Sequence, residues 1–385
     1  MMPKTQITKV EIETFTYELS DLARGEHGPT YSPGKSITNT AHAITIFTDA
    51  GVTGEYVWSG PIEYAGACVV AELLIGQDPL EREYIYSRIK QTMRQQAEIG
   101  ISAVDIALWD LAGKYHDAPI NRLLGGYRKT LPTYPASVHA TEHDELKSPE
   151  EMADFAEQCK ELGYPAFKIH GWENGEPNRE AETILALRDR VGSEMDLMSD
   201  PYNALRTFGD AIKVGRACDE AGYFWYEDPL ADGGISQFAH RKLRELLVTP
   251  LLLTEHVRGL EARVDFMVNG ATDFVRGDVQ YMGITATMKL AHAAEGLGLD
   301  IELHSPGPAQ RQCMAAIRNT NYYELSGSRP KGPNGNYIPV YANDYVDQLD
   351  AAVDGHFPVP QGPGLGVEYD WQKIRRDSIG TKVFE

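Results

Sequence analysis

No stretch of the 385 residues approaches the roughly 18 consecutive apolar residues that a membrane-spanning helix needs, and the opening MMPKTQITKVEIETF lacks the apolar core of a secretory signal. Basic residues are the minority, with 36 Lys and Arg against 56 Asp and Glu and a formal charge of −20. Without a basic run the chain cannot grip a phosphate backbone, which excludes nucleic acid as a partner; the surplus acidity reads as solubility. Cysteine is scarce. Cys68, Cys159, Cys218 and Cys313 stand far apart with no CxxC pair, and Cys159 and Cys218 fall in helical patterns. Buried free thiols in a reducing, cytoplasmic setting are therefore expected, not disulfides. Short-period repeats and low-complexity tracts are missing too.

What remains is ordinary in bulk, 42% hydrophobic and 24% charged, and too long for one small domain. The length suits a parallel barrel of about 250 residues plus a second piece. Between Phe167 and Glu324 short apolar runs recur: AFKIH, DLMSD, YFWYED, LLLTEH, DFVRGD, LDIELH and NYYEL. Each ends on or passes through a charged residue or a histidine: Lys168, Asp200, Glu227, Glu255, Asp278, His304 and Glu324. Steps in the twenties to low thirties, with helical pattern between buried-strand pattern, describe βα units. In a βα barrel the carboxyl ends of the strands share one mouth, where chemistry sits.

Before that stretch, Thr5 to Phe15, His42 to Phe47 and Val52 to Val57 read as strands, with Asp49-Ala-Gly51 as a turn. Leu22 to Thr40, rich in Gly, Pro and Ser, reads as a mobile loop, either a surface connection or a lid over the mouth. Glu63 to Met93 reads as helical, and GISAVDIALWDLAGK as a helix with Ile101, Val104, Leu108 and Leu111 on one face. Asp105 and Asp110 are expected there as solvated or capping groups. The expected division is an α+β cap over 1–130, a (β/α) barrel over 131–330, and a tail over 331–385 that packs back on the cap.

Three carboxylates (Asp200, Glu227 and Glu255) on successive strand ends repel one another unless a cation neutralises them. Oxygen ligands without Cys or clustered His favour Mg²⁺, with Mn²⁺ as the alternative. Asp278 and His304 on the next two strands suit a carboxylate-held imidazole base. Lys168 and His170 alternate along one strand and so share its inner side, where Lys168 is expected to neutralise a bound carboxylate. Glu324 either donates a hydrogen bond as a neutral acid or pairs with a cation.

The segments GISAVDIALWDLAGK, FKIHG, SDPYNAL, WYEDPL, TEH, RGDVQYMGIT and ELHSPG together resemble the mandelate racemase subgroup of the enolase superfamily, in order and spacing over nearly the whole chain. The resemblance implies a modified (β/α)8 barrel capped by both termini and one Mg²⁺ on Asp200, Glu227 and Glu255. It also implies proton abstraction α to a carboxylate, with Asp278–His304 as base dyad and Glu324 as hydrogen-bond donor; large homo-oligomers are common in the family. The pairing of a Lys or His base with Mg²⁺ is the worked case for this superfamily.

Two departures matter. The second Lys of the family's Lys-x-Lys is His170, and Asn203, carried over as a substrate contact, lies one residue further from Asp200 than in the common Asp-x-Asn. A single competent base suits β-elimination, so dehydration of an acid sugar (aldonate or aldarate) leads. A racemase, epimerase or lactone cycloisomerase using His170 with His304 is the alternative, and a barrel retained only for binding is a third. Substrate selection is expected from Arg24, His27, Tyr31 and Trp172, while His256 is either a contact or part of the wall.

Overall fold

The computed structural model describes residues 5–25, 28–96, 99–141 and 145–385. The chain begins with β1 (Ile7–Arg24), β2 (Pro29–Thr48) and β3 (Thr53–Trp58), followed by helices α1 (Pro61–Ala71), α2 (Arg82–Thr92), α3 (Ile101–Tyr115) and α4 (Ile120–Leu123). Eight barrel strands come next: β4 (Thr130–Ser137), β5 (Ala166–His170), β6 (Asp196–Asp200), β7 (Trp225–Glu227), β8 (Leu251–Leu253), β9 (Phe274–Gly277), β10 (Asp300–Leu303) and β11 (Tyr323–Ser328). The helices between them are α5 (Pro149–Glu161), α6 (Pro177–Val191), α7 (Phe208–Ala221), α8 (Gln237–Arg244), α9 (Leu260–Val268), α10 (Val279–Leu297) and α11 (Pro308–Met314). Last come β12 (His356–Pro358), α12 (Trp371–Arg376) and β13 (Ser378–Phe384).

Two sheets carry these elements. The antiparallel one runs β13-β1-β2-β3, so the end of the chain completes the sheet that its start began. The parallel one runs β10-β9-β8-β7-β6-β5-β4-β11, and β12 pairs antiparallel with β4. The result is a modified (β/α)8 barrel of TIM type whose eighth strand leads into the tail instead of a helix. The cap is built from both ends of the chain.

The described residues of the stretch Leu22 to Thr40 do not form a loop. They are the far half of a long β1–β2 hairpin, in which Leu22 pairs with Tyr31 and Arg24 with Pro29. A register shift between Ser20 and Leu22 absorbs the irregular composition, with Asp21 at φ 59° accepting a bond from the Gly34 N–H. Buried Leu19, Leu22 and Ile37 hold the near part. The helix expected from Glu63 to Met93 is two helices, α1 and α2, separated at Gly76 to Pro79, where Gly76 takes a φ of 76° and Pro79 cannot continue a helix.

Helix α3 is apolar around most of its circumference because it packs on β2 and β3 on one side and α10 on the other. Gly54 of β3 lies so close to it that a Cβ would come within 2.1 Å of the Ala107 carbonyl oxygen. Asp105 and Asp110 on this helix are buried, which rules out the solvated reading and leaves the capping one. Helix α10 breaks at Gly283 (φ 74°, ψ 176°), and the Asp105 carboxylate accepts from the Thr285 N–H (2.9 Å) and Oγ (2.6 Å), capping the second half of α10 from another segment. Asp110 accepts from the N–H groups of Glu55 (2.8 Å) and Leu365 (2.9 Å) and pairs with Lys114 at 2.8 Å, tying β3, α3 and the tail together. All four cysteines are buried and free.

Side chains stitch the barrel seam between β10 and β11. The Glu302 carboxylate accepts from Asn321 N–H (3.0 Å) and Nδ2 (2.7 Å) and from Tyr322 N–H. Burial pushes this carboxyl up to about 7 against the pull of those donors.

Both buried acids yield predictions. Asp105→Ala leaves the Thr285 N–H and hydroxyl without an acceptor and should cost roughly 2–4 kcal/mol in urea unfolding; a loss under about 0.5 kcal/mol would refute the capping role. For Glu302 the folded value lies above the ordinary 4.5, so its contribution to stability is whole below that pH and is lost as pH rises through 7. The melting temperature of Glu302→Gln relative to the parent should therefore climb between about pH 5 and 8, by the equivalent of roughly 3 kcal/mol. A flat difference across that range would contradict it.

Candidate active site

Strand alternation sets the site. Along β5, Phe167 and Ile169 face the helices, while Ala166, Lys168 and His170 face the barrel axis. The same two-residue step places Met198 below Asp200, Trp225 below Glu227, Leu252 below the β8 end, Phe274 below Arg276 and Tyr322 below Glu324. Tyr134, Met198, Trp225 and Leu252 thus form an apolar floor, and one layer higher every strand end turns polar.

In that layer Asp200, Glu227 and Glu255 each present a carboxylate oxygen, all within 4.8 Å of one another. Lys168 Nζ sits beneath, 3.2 Å from Asp200, 2.9 Å from Glu227 and 2.8 Å from Glu324. Arg276 Nε lies 2.9 Å from Glu227 and its Nη2 lies 3.1 Å from Glu324, while Nη1 donates to the Tyr134 hydroxyl. Lys168, Glu227, Arg276 and Glu324 are all buried. The carboxylates of this layer outnumber its two fixed cations, an excess that one hard divalent cation on the triad would offset. Burial, only partly offset by Arg276 and Lys168, pushes Glu227 up to about 7.

His304 follows β10. Its Nδ1 is 2.7 Å from Asp278 Oδ2 and its Nε2 is 3.5 Å from Glu255 Oε1. Asp278 also caps α10 through the Tyr281 N–H, which fixes the carboxylate holding the ring. Burial works against the charged imidazole, but Glu255 and then Asp278 overcome it and lift His304 to about 9. His170 lies three strands away in one direction round the barrel and five in the other. Its Nδ1 bonds to the Ser137 carbonyl, leaving Nε2 3.4 Å from Asp200 Oδ2.

The backbone at these strand ends is strained. Tyr202 (φ 55°), Asn203 (54°), Asp228 (32°), Thr254 (90°) and Ser305 (64°) all adopt left-handed conformations beside the triad or His304. Above them opens a cavity of about 460 Å³ lined by His170, Asp200, Glu255, His256 and His304. The hairpin tip contributes Gly25, Gly28, Pro29 and Thr30 to its rim.

Several expected roles move. Lys168 is buried below the triad, paired with its carboxylates, and does not line the cavity. Of the two readings of Glu324, the geometry shows the pairing with cations: Lys168 Nζ lies 2.8 Å and Arg276 Nη2 3.1 Å away, they hold its carboxyl below the usual range against burial, and it accepts from the Ser305 N–H at 2.7 Å. Trp172 is buried and donates to Thr183, away from the cavity lining. Asn203 and Tyr31 do not line the cavity either, and Arg24 borders a neighbouring cleft. His27 lies outside the described residues.

Sequence reasoning missed Arg276, although its place two residues before Asp278 on an alternating strand marks it as inward. It also missed His139, Arg329 and Asn336, which line the cavity from loops that carry no periodic signal. Asp228 was passed over as well. Burial first, then Glu255, Glu227 and Asp200, push this acid well up, and neither of its buried oxygens has a hydrogen-bond partner among the described residues.

The sequence is 26% identical to the D-xylonate dehydratase of Haloferax volcanii over 376 residues, covering 89% of this chain and 86% of that protein. It is 28% identical to the D-galactarolactone cycloisomerase of Agrobacterium fabrum, covering 91% and 93%. The fold superposes on the crystal structure of D-glucarate dehydratase from Agrobacterium tumefaciens, complexed with magnesium, with a TM-score of 0.86 at 26% identity over 98% of this chain and 100% of that one. Residues 30–125 match the sequence model of the mandelate racemase / muconate lactonizing enzyme N-terminal domain, and residues 151–373 match that of the enolase C-terminal domain-like family. The chain therefore belongs to the mandelate racemase / muconate lactonizing enzyme branch of the enolase superfamily.

Proposed function

We propose that the protein is a Mg²⁺-dependent dehydratase of an acid sugar, with residues 131–330 as the catalytic barrel and 1–130 with 331–385 as its cap. The observation that carries this is the placement of His304, held by Asp278 and presenting Nε2 3.5 Å from a carboxylate of the triad. Relatives named as dehydratases of D-xylonate, arabinonate and D-gluconate support the same class. The four buried free thiols support a cytoplasmic setting.

Asp200, Glu227 and Glu255 would hold the ion, Mg²⁺ by the hard-oxygen chemistry of the set, with Mn²⁺ as alternative. A bound dication supplies electrophilic stabilisation of the substrate carboxylate. His304 Nε2 takes the proton from C2, and the electron pair of the broken C–H bond moves onto the carboxylate. Asp278 keeps the ring oriented and stabilises the imidazolium that forms. That electron pair then returns to form the C2=C3 bond as the C3–O bond breaks; the proton held by His304 passes to the departing hydroxyl, which leaves as water, and the enol takes a proton from solvent at C3 while losing its hydroxyl proton to become the 2-keto-3-deoxy acid. Lys168 and Arg276 hold the ligand carboxylates in place from below.

A second reading has an observation of its own. His170 Nε2 faces the triad from nearly the opposite side of the barrel to His304, and two imidazoles on two faces of an α-carbon suit a racemase or epimerase. The D-galactarolactone cycloisomerase relative keeps isomerisation within the family.

Incubating acid sugars with enzyme and Mg²⁺ in D₂O separates the two: keto acid formation is expected, whereas deuterium at C2 of recovered acid without keto acid would sink the dehydratase. His304→Ala should lower kcat by about 10³-fold or more while Mg²⁺ affinity measured by calorimetry changes less than about threefold. Asp200→Asn should instead weaken Mg²⁺ binding by roughly 10²-fold. Equal effects of the two substitutions on metal binding would remove the division of roles.

A further inference from the structure

Resting on His304 as the base of the proposed reaction, we propose that Tyr323 and Asp347 are positioning residues for that imidazole. A hydroxyl on the outer face of β11, held by a carboxylate of the tail, fixes the turn that presents His304 to the cavity. This turn, His304-Ser305-Pro306-Gly307, lies between β10 and α11. Asp278 sets how the His304 ring is rotated, but where its Cα stands depends on the backbone of the turn. That backbone is strained, with Ser305 at φ 64° in the left-handed region. Such a conformation persists only where outside bonds over-determine it, and every N–H of the turn has one. His304 N–H donates to the Gly277 carbonyl at 2.8 Å and Ser305 N–H to Glu324 Oε2 at 2.7 Å. Pro306 has no N–H, and Gly307 N–H donates to the Tyr323 hydroxyl at 2.7 Å. Glu324 and Tyr323 are neighbours on β11 and so point to opposite faces, Glu324 to the barrel axis and Tyr323 to the apolar layer outside it. The strand thus holds the turn on both sides of Pro306.

The outer hold is itself braced. Tyr323 is buried, and while its hydroxyl accepts from Gly307 it donates to Asp347 Oδ1 at 2.8 Å. Burial first, then Asp347, push this phenol up, so it stays protonated and keeps that bond. Asp347 is buried as well; its Oδ1 also pairs with Arg311 Nη2, and its Oδ2 accepts from the Tyr345 hydroxyl at 2.6 Å. Arg311, on α11, donates to the Pro358 carbonyl at 3.2 Å. Its guanidinium carbon lies 5.2 Å from the centre of the Tyr323 ring, 4.5 Å from that of Tyr345 and 4.4 Å from that of Phe357. A phenylalanine at 323 would serve the packing equally. The hydroxyl adds one bond to the tail and one to the His304 turn.

Tyr323→Phe removes the hydroxyl and keeps the ring. It should lower kcat for keto acid formation by about tenfold or more, while KM and calorimetric Mg²⁺ affinity change less than about threefold. Tyr345→Phe is the control, because it takes a hydroxyl from the same carboxylate without touching the turn; its kcat should stay within about twofold of the parent. Equal losses in the two variants would reduce the network to stability and overturn the proposal. Asp347→Asn should show the same split between kcat and KM as Tyr323→Phe, and it decides the matter if Tyr323→Phe does not fold: an unchanged kcat there overturns the proposal. A readout without turnover is NMR of protein labelled at its histidine rings, the His304 signal being identified by its loss in His304→Ala. Tyr323→Phe should shift or split that signal and Tyr345→Phe should not; an unmoved signal in Tyr323→Phe overturns the proposal. A moved signal in an enzyme that makes keto acid from no acid sugar would instead remove the dehydratase reading and leave the positioning of His304 standing.

Discussion

Lys168 and Arg276 are packed into the barrel above an aromatic floor and out of reach of water, and everything at the mouth is arranged around them. Two buried cations are tolerable only because Asp200, Glu227 and Glu324 surround them at hydrogen-bonding distances. Neutralising the cations alone would take two carboxylates, yet the layer contains more, and the excess gathers on the side where Asp200, Glu227 and Glu255 converge. A low-dielectric surrounding magnifies that imbalance, so a divalent ion is the natural complement of the layer as folded. The left-handed backbone at Asp228, Thr254 and Ser305 shows how firmly the strand ends are constrained, since such conformations persist only where surrounding structure over-determines them.

The cap is attached to this barrel by polar groups as much as by apolar packing. Asp105 replaces the missing helical partner of Thr285 at the break in α10, the same helix whose first residue follows Asp278. The ring-orienting carboxylate and the cap thus share one helix, with Gly283 between them. Asp110 does the equivalent for the tail through Leu365. The hairpin, held at its base by the four-stranded sheet, delivers its tip to the cavity rim.

Much of this was legible without coordinates because it follows from period. Strand ends one βα unit apart must share a mouth, and side chains two residues apart on a strand must share a face. Asp200, Glu227, Glu255, Asp278 and His304 needed nothing more. The same rule would have found Arg276, had the step from Phe274 through Arg276 to Asp278 been followed instead of the apolar run. Charge state was less accessible: Glu324 reads equally as acid or anion until Arg276 is seen beside it. The hairpin was misread because Gly, Pro and Ser usually mark loops, whereas here paired backbone and the Asp21 bulge make up for the weak strand formers. Asp105 read as either solvated or capping because a helical face is judged within its own segment, and the helix it caps starts 180 residues away. Trp172 was counted with the strand-end contacts, and a place just past a strand end says nothing of which way a loop turns.

Selectivity and chemistry therefore occupy different layers of one barrel. The charged layer is fixed by strand alternation, and its members pair so closely that none can change without leaving a buried charge exposed to its opposite's absence. The rim, drawn from the hairpin tip and the loops after β4, β5 and β11, is free of that constraint; Thr141, Glu173 and Asn336 can vary without disturbing a single contact of Lys168. A fold divided in this way can keep one proton-abstracting centre while the distal end of the substrate is re-selected from loop to loop. It follows that identity across the whole chain reports the charged layer more than it reports the rim.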